Sequence, residues 1–250
     1  PSKRLDITQK NDVDTCLDLF NPSIIINCAA YTSVDKAESQ RKIARDINVM
    51  GLSNLIKAAR KKTKIIHISS DYVFDGKKGN YIETDITAPI NYYGKSKLES
   101  ENLLIGSNLE FLIIRPNVLY SNDFSKSHFL SWVVKSLSEE KNIQVATDQI
   151  NNPTYVPDLI QLISDSILLD FSGVVHMGSE NYISRYEFAN QIADIFTLKK
   201  KLILPVKSSA LNQLANRPLN TSLNCDKIKA GLNMELYPVE YGIRRVNLGV

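Results

Sequence analysis

The sequence is poor in cysteine, histidine and tryptophan, and it lacks the patterns that would give those residues a special use. Its three cysteines, Cys16, Cys28 and Cys225, form no C-x-x-C pair and are odd in number. That excludes a disulfide-stapled secreted scaffold and implies a reduced, cytoplasmic protein. The three histidines, His67, His128 and His176, show no metal-ligand spacing, so no metal is expected. No apolar run approaches the ~18 residues needed to span a bilayer, and the amino-terminal segment lacks the apolar core of a signal peptide. Neither a membrane nor an export route is implied. A formal net charge of +3 with scattered lysines gives no footprint for a nucleic acid. The denser groups, Lys61-Lys62-Thr63-Lys64 and Lys199-Lys200-Lys201, each precede an expected strand and read as solvated turns.

What is present is the rhythm of an ordinary globular protein: 250 residues, 43% hydrophobic, with mixed charges, enough for one large or two small domains. Short β-branched runs alternate with longer amphipathic ones. Ile24-Ile25-Ile26-Asn27-Cys28 reads as a buried strand, and Ala44, Ile47, Gly51, Leu52, Leu55, Ile56 and Ala59 then recur at helical spacing. A strand over 64–69, a helix over about 93–104 and a strand over 111–114 follow. This is a βαβ alternation, and it predicts an open, doubly wound parallel sheet of the α/β class. Beyond it the pattern predicts a helix over 129–137, a strand over 144–146, a helix over 158–168 and a strand over 174–177. Ser184-Arg185-Tyr186-Glu187 has the form of a capping box opening another helix. Pro205, Pro218 and Pro238 punctuate the tail, as in a smaller second lobe packed on the sheet.

A glycine pattern is also missing. Nucleotide-binding sheets usually begin with a strand, a Gly-rich turn and a helix whose amino terminus holds a pyrophosphate. The ten glycines here include no G-x-G-x-x-G or G-x-x-G-x-x-G. A further strand, Gly-rich turn and helix are therefore expected ahead of Pro1, the alternative being that the cradle has been lost.

The chemistry is carried by Tyr93-Gly94-Lys95-Ser96-Lys97 and by Ser70 at the end of the apolar run Ile65-Ile66-His67-Ile68-Ser69. On a helix, Tyr93 and Lys97 share one face, with the ammonium in reach of the phenol. A phenol titrating near ~10 is a poor proton relay at neutral pH, and a neighbouring cation stabilises phenolate. Ser70 would orient a carbonyl or alcohol oxygen, at the strand end where doubly wound sheets place ligands. His67, on the buried strand, reads as a satisfied core histidine.

Several long stretches carry a resemblance: NCAAYTSVDKAE at 27–38, HISSDYVFDG at 67–76, NYYGKSKLESE at 91–101, TDQINNPTYVPDL at 147–159 and ANRPLNTSLNCDKIK at 215–229. From Leu5 to its end the chain resembles the extended short-chain dehydrogenase/reductases, specifically the dTDP-4-dehydrorhamnose reductase branch. The resemblance implies a Rossmann-like domain, 1–120 and 152–178, lacking its first βαβ unit in this sequence, and a sugar-nucleotide lobe, 121–151 and 179–250. It implies NADPH or NADH as cofactor, a nucleotide-linked 4-keto-6-deoxy sugar as substrate and, as an open possibility, a homodimer. Ser70, Tyr93 and Lys97 match the catalytic positions: keto-oxygen binding, proton donation, and support of the nicotinamide ribose and the phenol. Asp6 and Ile7 match the adenine contacts. Ala29, Ala30, Tyr31, Thr32, Asn48, Ser69 and Asn117 match the remaining cofactor positions. Asp71, Tyr72 and Val118 match the sugar side, and Arg217 the acidic part of the nucleotide, where a guanidinium suits a pyrophosphate.

Alternatives stay open at several points. Asp71 and Asp75 also suit the capping of a turn before Gly76, and Arg217 also suits a carboxylate partner within the lobe. The branch commonly has Arg-Thr-Ser-Trp where this chain has Arg115-Pro116-Asn117-Val118, so the sugar pocket is altered, with Phe129, Tyr120 or Trp132 as candidate substitutes for the tryptophan. Parts of the sequence also resemble the non-catalytic regulatory subunit of methionine adenosyltransferase, which keeps the fold for a binding role. An epimerase or dehydratase is disfavoured, because no Asp-Glu pair follows Ser70.

Overall fold

A computed structural model describes residues 5–249; Pro1–Arg4, and the strand, turn and helix expected ahead of them, lie outside the described residues. Four parallel strands, Ile24–Asn27, Lys64–Ile68, Phe111–Pro116 and Gly173–Met177, lie side by side in chain order. Because side chains alternate along a strand, Ile65 and Ile113 face one layer of helices and Ile66, Leu112, Ile114 and Val175 the other. The first layer is built from Lys10–Phe20, Gly51–Ala58 and Tyr92–Ile105, the second from Val156–Leu168 and Asp226–Leu232. The doubly wound parallel sheet is thus present. Each fully buried Ile or Leu in it contributes about 1.5–3 kcal/mol.

Three expectations are corrected. The Ile24–Asn27 strand is buried only at Asn27, and Ile26 is 46% exposed. As the outermost strand among the described residues, it is covered less than its neighbours. Lys64 begins the second strand as expected, but it is not solvated like Lys61 and Lys62; it is buried, with its Nζ 2.8 Å from Asp170. The recurring apolar residues from Ala44 to Ile56 do form a continuous helical run, but its middle turn, Asp46–Met50, is π-helical.

The second lobe pairs Ile143–Ala146 with Ile203–Val206 in parallel. Around them pack Phe129–Ser138, Arg185–Ile195 and Val239–Leu248, with Leu130, Val133, Phe188, Ile192 and Ile243 in a core of their own. The capping box forms as expected: Ser184 Oγ accepts from Glu187 N at 3.1 Å, and Ser184 N donates to Glu187 Oε2 at 2.7 Å. The segment 179–250 does not stay within this lobe. Leu223, Ile228, Leu232 and Leu236 return to the core that also holds Ile66 and Leu112. Asn152 fastens this crossing: its Oδ1 accepts from Leu223 N at 3.0 Å, while its Nδ2 donates to Leu223 O at 3.0 Å and to Ser179 O at 3.2 Å.

Candidate active site

The strand Lys64–Ile68 ends in a turn shaped by Ser70. In extended backbone, Ser70 caps the single 3-10 turn Asp71–Val73; its Oγ accepts from Tyr72 N at 3.1 Å and donates to Asp71 Oδ1 at 3.0 Å. Asp71 is buried, and its Oδ2 has no partner among the described residues. Burial pushes its carboxyl up to about 6. The two candidate capping acids thus separate, because Asp75 is the one that braces the next turn, accepting from Lys77 N at 3.1 Å and from the Tyr81 hydroxyl at 2.6 Å.

Against this turn stands the start of the Tyr92–Ile105 helix. Asn91 caps it, its Oδ1 accepting from Gly94 N at 2.8 Å. A Cβ on Gly94 would lie 2.1 Å from the Tyr72 carbonyl oxygen, so only glycine lets helix and turn meet this closely. Tyr93 and Lys97 project from the same face. The Tyr93 ring meets Tyr72 edge-on with centroids 5.9 Å apart. Lys97 is fully buried, and its Nζ donates to Ile68 O at 2.6 Å and lies 3.4 Å from His67 Nε2.

The electrostatics correct one expectation. Burial pushes the Tyr93 phenol above its ordinary value, opposed by a hydrogen bond with Ser70. Lys97 does not bring it down, because the amine is turned to the Ile68 carbonyl and is itself lowered by burial to about 8. His67 is the satisfied core histidine anticipated. It bonds Asn27 at 3.1 Å and Ser100 at 3.0 Å, and burial holds it neutral.

The residues matched to cofactor contacts divide by position. Ala29, Ala30, Tyr31 and Thr32 form the loop after the first strand, at the carboxyl edge of the sheet. Asn48, fully buried in the π-helical turn, holds that loop: its Oδ1 accepts from Tyr31 N at 2.7 Å, and its Nδ2 donates to Ser96 Oγ at 2.8 Å. Asp6 closes an exposed turn on Thr8. The Ile7 side chain is buried against Gly51, where an added Cβ would meet it at 2.5 Å. Ser69 is turned inward, its hydroxyl donating to Glu101. Asn117 is fully buried and spends its Nδ2 on Thr221 O at 2.8 Å and Asn152 Oδ1 at 3.3 Å. Ile7 and Asn117 thus place their side chains in the core rather than in the crevice, whereas Ser69 lines the crevice with its hydroxyl turned inward.

Two adjoining cavities open at this edge. The first, about 240 Å³, is lined by Thr32, Ser70, Asp71, Tyr93 and Val118 among others. The second, about 390 Å³, is lined by Phe129, Trp132, Gln144, Gln149, Asn212 and Arg217 among others, and Tyr72 and Arg185 border both. Arg185 was not anticipated from the sequence, where its only signal is its place inside the capping box. Its guanidinium lies 5.0 Å from the centre of the Phe129 ring. Arg217 lines the second cavity but is paired with Asp35 at 2.8 Å, so its carboxylate partner is real and is reached across the cleft. Of the candidate aromatic substitutes, Phe129 and Trp132 reach the second cavity. Tyr120 does not, being buried with its hydroxyl 3.3 Å from Val239 O.

The sequence profile described as RmlD substrate binding domain matches residues 1–247. A dTDP-4-dehydrorhamnose reductase of Aggregatibacter actinomycetemcomitans is 36% identical over 247 residues, covering 92% of this chain and 82% of the relative. Methionine adenosyltransferase 2 subunit beta of Pongo abelii is 32% identical over 250 residues, covering 97% and 75%. Among solved structures, the dTDP-4-dehydrorhamnose reductase of Bacillus anthracis str. Ames in complex with NADP superposes with a TM-score of 0.93 at 32% identity, covering 98% of this chain and 87% of that one. With the profile spanning the sheet, the crevice and the lobe alike, this chain belongs to the RmlD substrate binding domain family.

Proposed function

We propose that the protein reduces a nucleotide-linked 4-keto-6-deoxy sugar, as a dTDP-4-dehydrorhamnose reductase does, in deoxysugar synthesis for surface glycans, with NADPH or NADH as reductant. One observation carries this reading: Ser70, Tyr93 and Lys97 converge from two elements on the carboxyl edge of the parallel sheet, beside a cavity of about 240 Å³. The residues present fit the nicotinamide end of such a cofactor. Small side chains at Ala29 and Ala30 leave the loop open, and Lys97 lies buried beneath the strand end, its Nζ on Ile68 O. When bound, the reduced nicotinamide supplies the hydride.

The chain's own groups handle the oxygen and the proton. As the new C–H bond forms, the carbonyl pair moves onto oxygen, and the Tyr93 phenol gives that oxygen its proton. A phenol held above its usual pKa is fully protonated at working pH, which is the form a donor needs. Ser70 hydrogen-bonds the same oxygen where charge develops. Lys97 is suited to hold the ribose. Asp71, with one unpaired oxygen, is suited to a sugar hydroxyl. Arg185 and Arg217 border the larger cavity, where guanidinium groups suit a diphosphate. Cytoplasmic residence and homodimerisation belong to the same proposal; among the described residues no helix is long and apolar enough to cross a membrane.

The second reading is a non-catalytic partner of a metabolic enzyme, favoured by the 32% identity to methionine adenosyltransferase 2 subunit beta. A pure binding module has no need of Ser70, Tyr93 and Lys97 together. The discriminating experiment follows reduced-nicotinamide absorbance for the purified protein with dTDP-4-dehydrorhamnose and a panel of other nucleotide 4-keto sugars, using NADPH and NADH in turn. Turnover of any of these supports the reductase. Tight cofactor binding with no turnover across the panel supports the binding module.

A further inference from the structure

Resting on that catalytic reading, we infer that Glu101, held by Arg115 and Ser69, is a positioning residue that locks the Ser70 turn to the Tyr93 helix and keeps Lys97 charged. Glu101 lies one helical turn beyond Lys97 and two beyond Tyr93, on the same face. Its side chain is wholly buried. Its Oε1 accepts from the Ser69 hydroxyl and from Arg115 Nε at 3.0 Å, and its Oε2 accepts from Arg115 Nη2 at 2.7 Å. Arg115 is held in turn: its guanidinium stacks 5.2 Å from the centre of the Phe74 ring, and its Nη1 lies 3.4 Å from His176 Nε2. His176 Nδ1 donates to Tyr81 O at 3.0 Å, which leaves Nε2 free to accept from the guanidinium. Burial keeps that imidazole neutral, at about 3.

Two consequences follow from this geometry. Ser69 immediately precedes Ser70, so its bond to Glu101 ties the turn carrying Ser70 and Asp71 to the helix carrying Tyr93 and Lys97. That fixes the hydroxyl and the phenol relative to one another. Buried charge also alternates from helix to strand, with Lys97 positive and Glu101 negative on the helix and Arg115 positive on the neighbouring strand. The groups facing Lys97 from other elements are His67, held neutral; the Cys28 thiol, which burial keeps protonated; and the Ile68 carbonyl. Glu101, one turn along the helix, is the negative charge that supports the ammonium against desolvation, since a neighbouring opposite charge favours the charged form.

The test reads Lys97 in the protein without cofactor, by carbon-NMR titration of lysine labelled at Cε, with Lys97→Arg assigning the resonance. The negative charge alone is removed in Glu101→Gln, an amide of the same size, with Arg115 kept in place. In that variant the Lys97 midpoint is expected to fall by about one pH unit or more, and the alkaline limb of cofactor binding to move with it. Ser69→Ala is expected to leave the midpoint in place while lowering kcat about tenfold with little change in sugar KM, and Ser69→Thr to restore it. An unmoved Lys97 midpoint in folded Glu101→Gln overturns the electrostatic role, and wild-type kcat in Ser69→Ala overturns the positioning role. Should Glu101→Gln fail to fold, Glu101→Asp carries the same decision: with the carboxylate withdrawn by one methylene, Lys97 titrates lower if the inference holds and unchanged if it fails. Failure of the catalytic reading shows separately, as full turnover in Lys97→Ala, and leaves the Lys97 midpoint measurement intact.

Discussion

Asp71 sits where an ionised carboxylate is costly, with one oxygen bonded to Ser70 and the other unpartnered. Its carboxyl is pushed from the ordinary 3.8 up to about 6, chiefly through burial. The native state therefore binds this proton more tightly than the unfolded chain does. The resulting stabilisation is complete below roughly pH 4 and is lost as pH rises through about 6, a difference on the order of 3 kcal/mol. Asp71→Asn, neutral throughout, is expected to melt like wild type near pH 4 and to be the more stable protein near pH 8. A stability gap independent of pH, read from denaturant curves, would contradict this. At Tyr93 the expected change is in rate. Tyr93→Phe keeps the ring against Tyr72 and removes the proton, so kcat falls about 10²–10⁴-fold while fluorescence titration finds nicotinamide binding nearly intact. Val118 has φ of +35°, a left-handed backbone uncommon for a β-branched residue, and it lines the smaller cavity where reductase relatives commonly place tryptophan. At ~25 cal/mol per Å² the missing indole packing is worth on the order of 1 kcal/mol or more. Val118→Trp is expected to raise kcat/KM for dTDP-4-dehydrorhamnose relative to other 4-keto sugars. Efficient wild-type turnover of that sugar, lost on Val118→Trp, would mean that Phe129, Trp132 and Arg185 already shape the pocket for it.

Two elements must keep a fixed spacing: the 3-10 turn Asp71–Val73 and the helix Tyr92–Ile105. Gly94 sets that spacing, since its missing side chain is where the Tyr72 carbonyl lies. Gly94→Ala is therefore expected to force the helix away from the turn. Ala raises helix propensity by nearly 1 kcal/mol over Gly, so a purely local effect would stabilise the protein. The expectation is the reverse: a lower melting temperature, and a kcat reduced by at least tenfold as Tyr93 separates from Ser70, since catalytic geometry tolerates little displacement. Unchanged kcat in crystallographically native Gly94→Ala would show that the contact yields freely. The π-helical turn Asp46–Met50 is a second such device, placing Asn48 under the loop at Tyr31 from inside a helix otherwise packed on the sheet.

At the scale of the whole molecule, the segment returning at Leu223 is held to the end of the sheet by a buried amide network as well as by apolar packing. Asn152 contacts Asn117, Ser179 and Leu223, and Gly178 is so close that a Cβ there would meet Asn152 Nδ2 at 2.2 Å. Asn152→Ala leaves several buried donors and acceptors unpaired at about 1–3 kcal/mol each. It is expected to lower the urea midpoint clearly and, because the cleft between sheet and lobe loosens, to raise sugar KM more than cofactor Kd. Equal changes in the two constants would place the loss in general stability instead.

By itself the sequence determined what local periodicity and short-range chemistry can determine. The alternation of β-branched runs with helical repeats dictated a doubly wound sheet, because strand and helix impose different periods on the residues they bury. The i, i+4 spacing of Tyr93 and Lys97 put them on one face, and the capping box at Ser184 gave a helix start. Only the tertiary structure decided which charged groups leave water. Lys64, Lys97, Glu101 and Arg115 are buried by partners as far as 106 residues away, as Lys64 is by Asp170, and no local pattern encodes such pairings. For the same reason the phenol of Tyr93 is raised rather than lowered, Asn117 and the Ser69 hydroxyl turn inward, and Arg185 emerges beside the crevice. Desolvation and long-range hydrogen bonding depend on what the folded chain brings next to a residue, and that is settled only when sheet, turn and lobe have closed on one another.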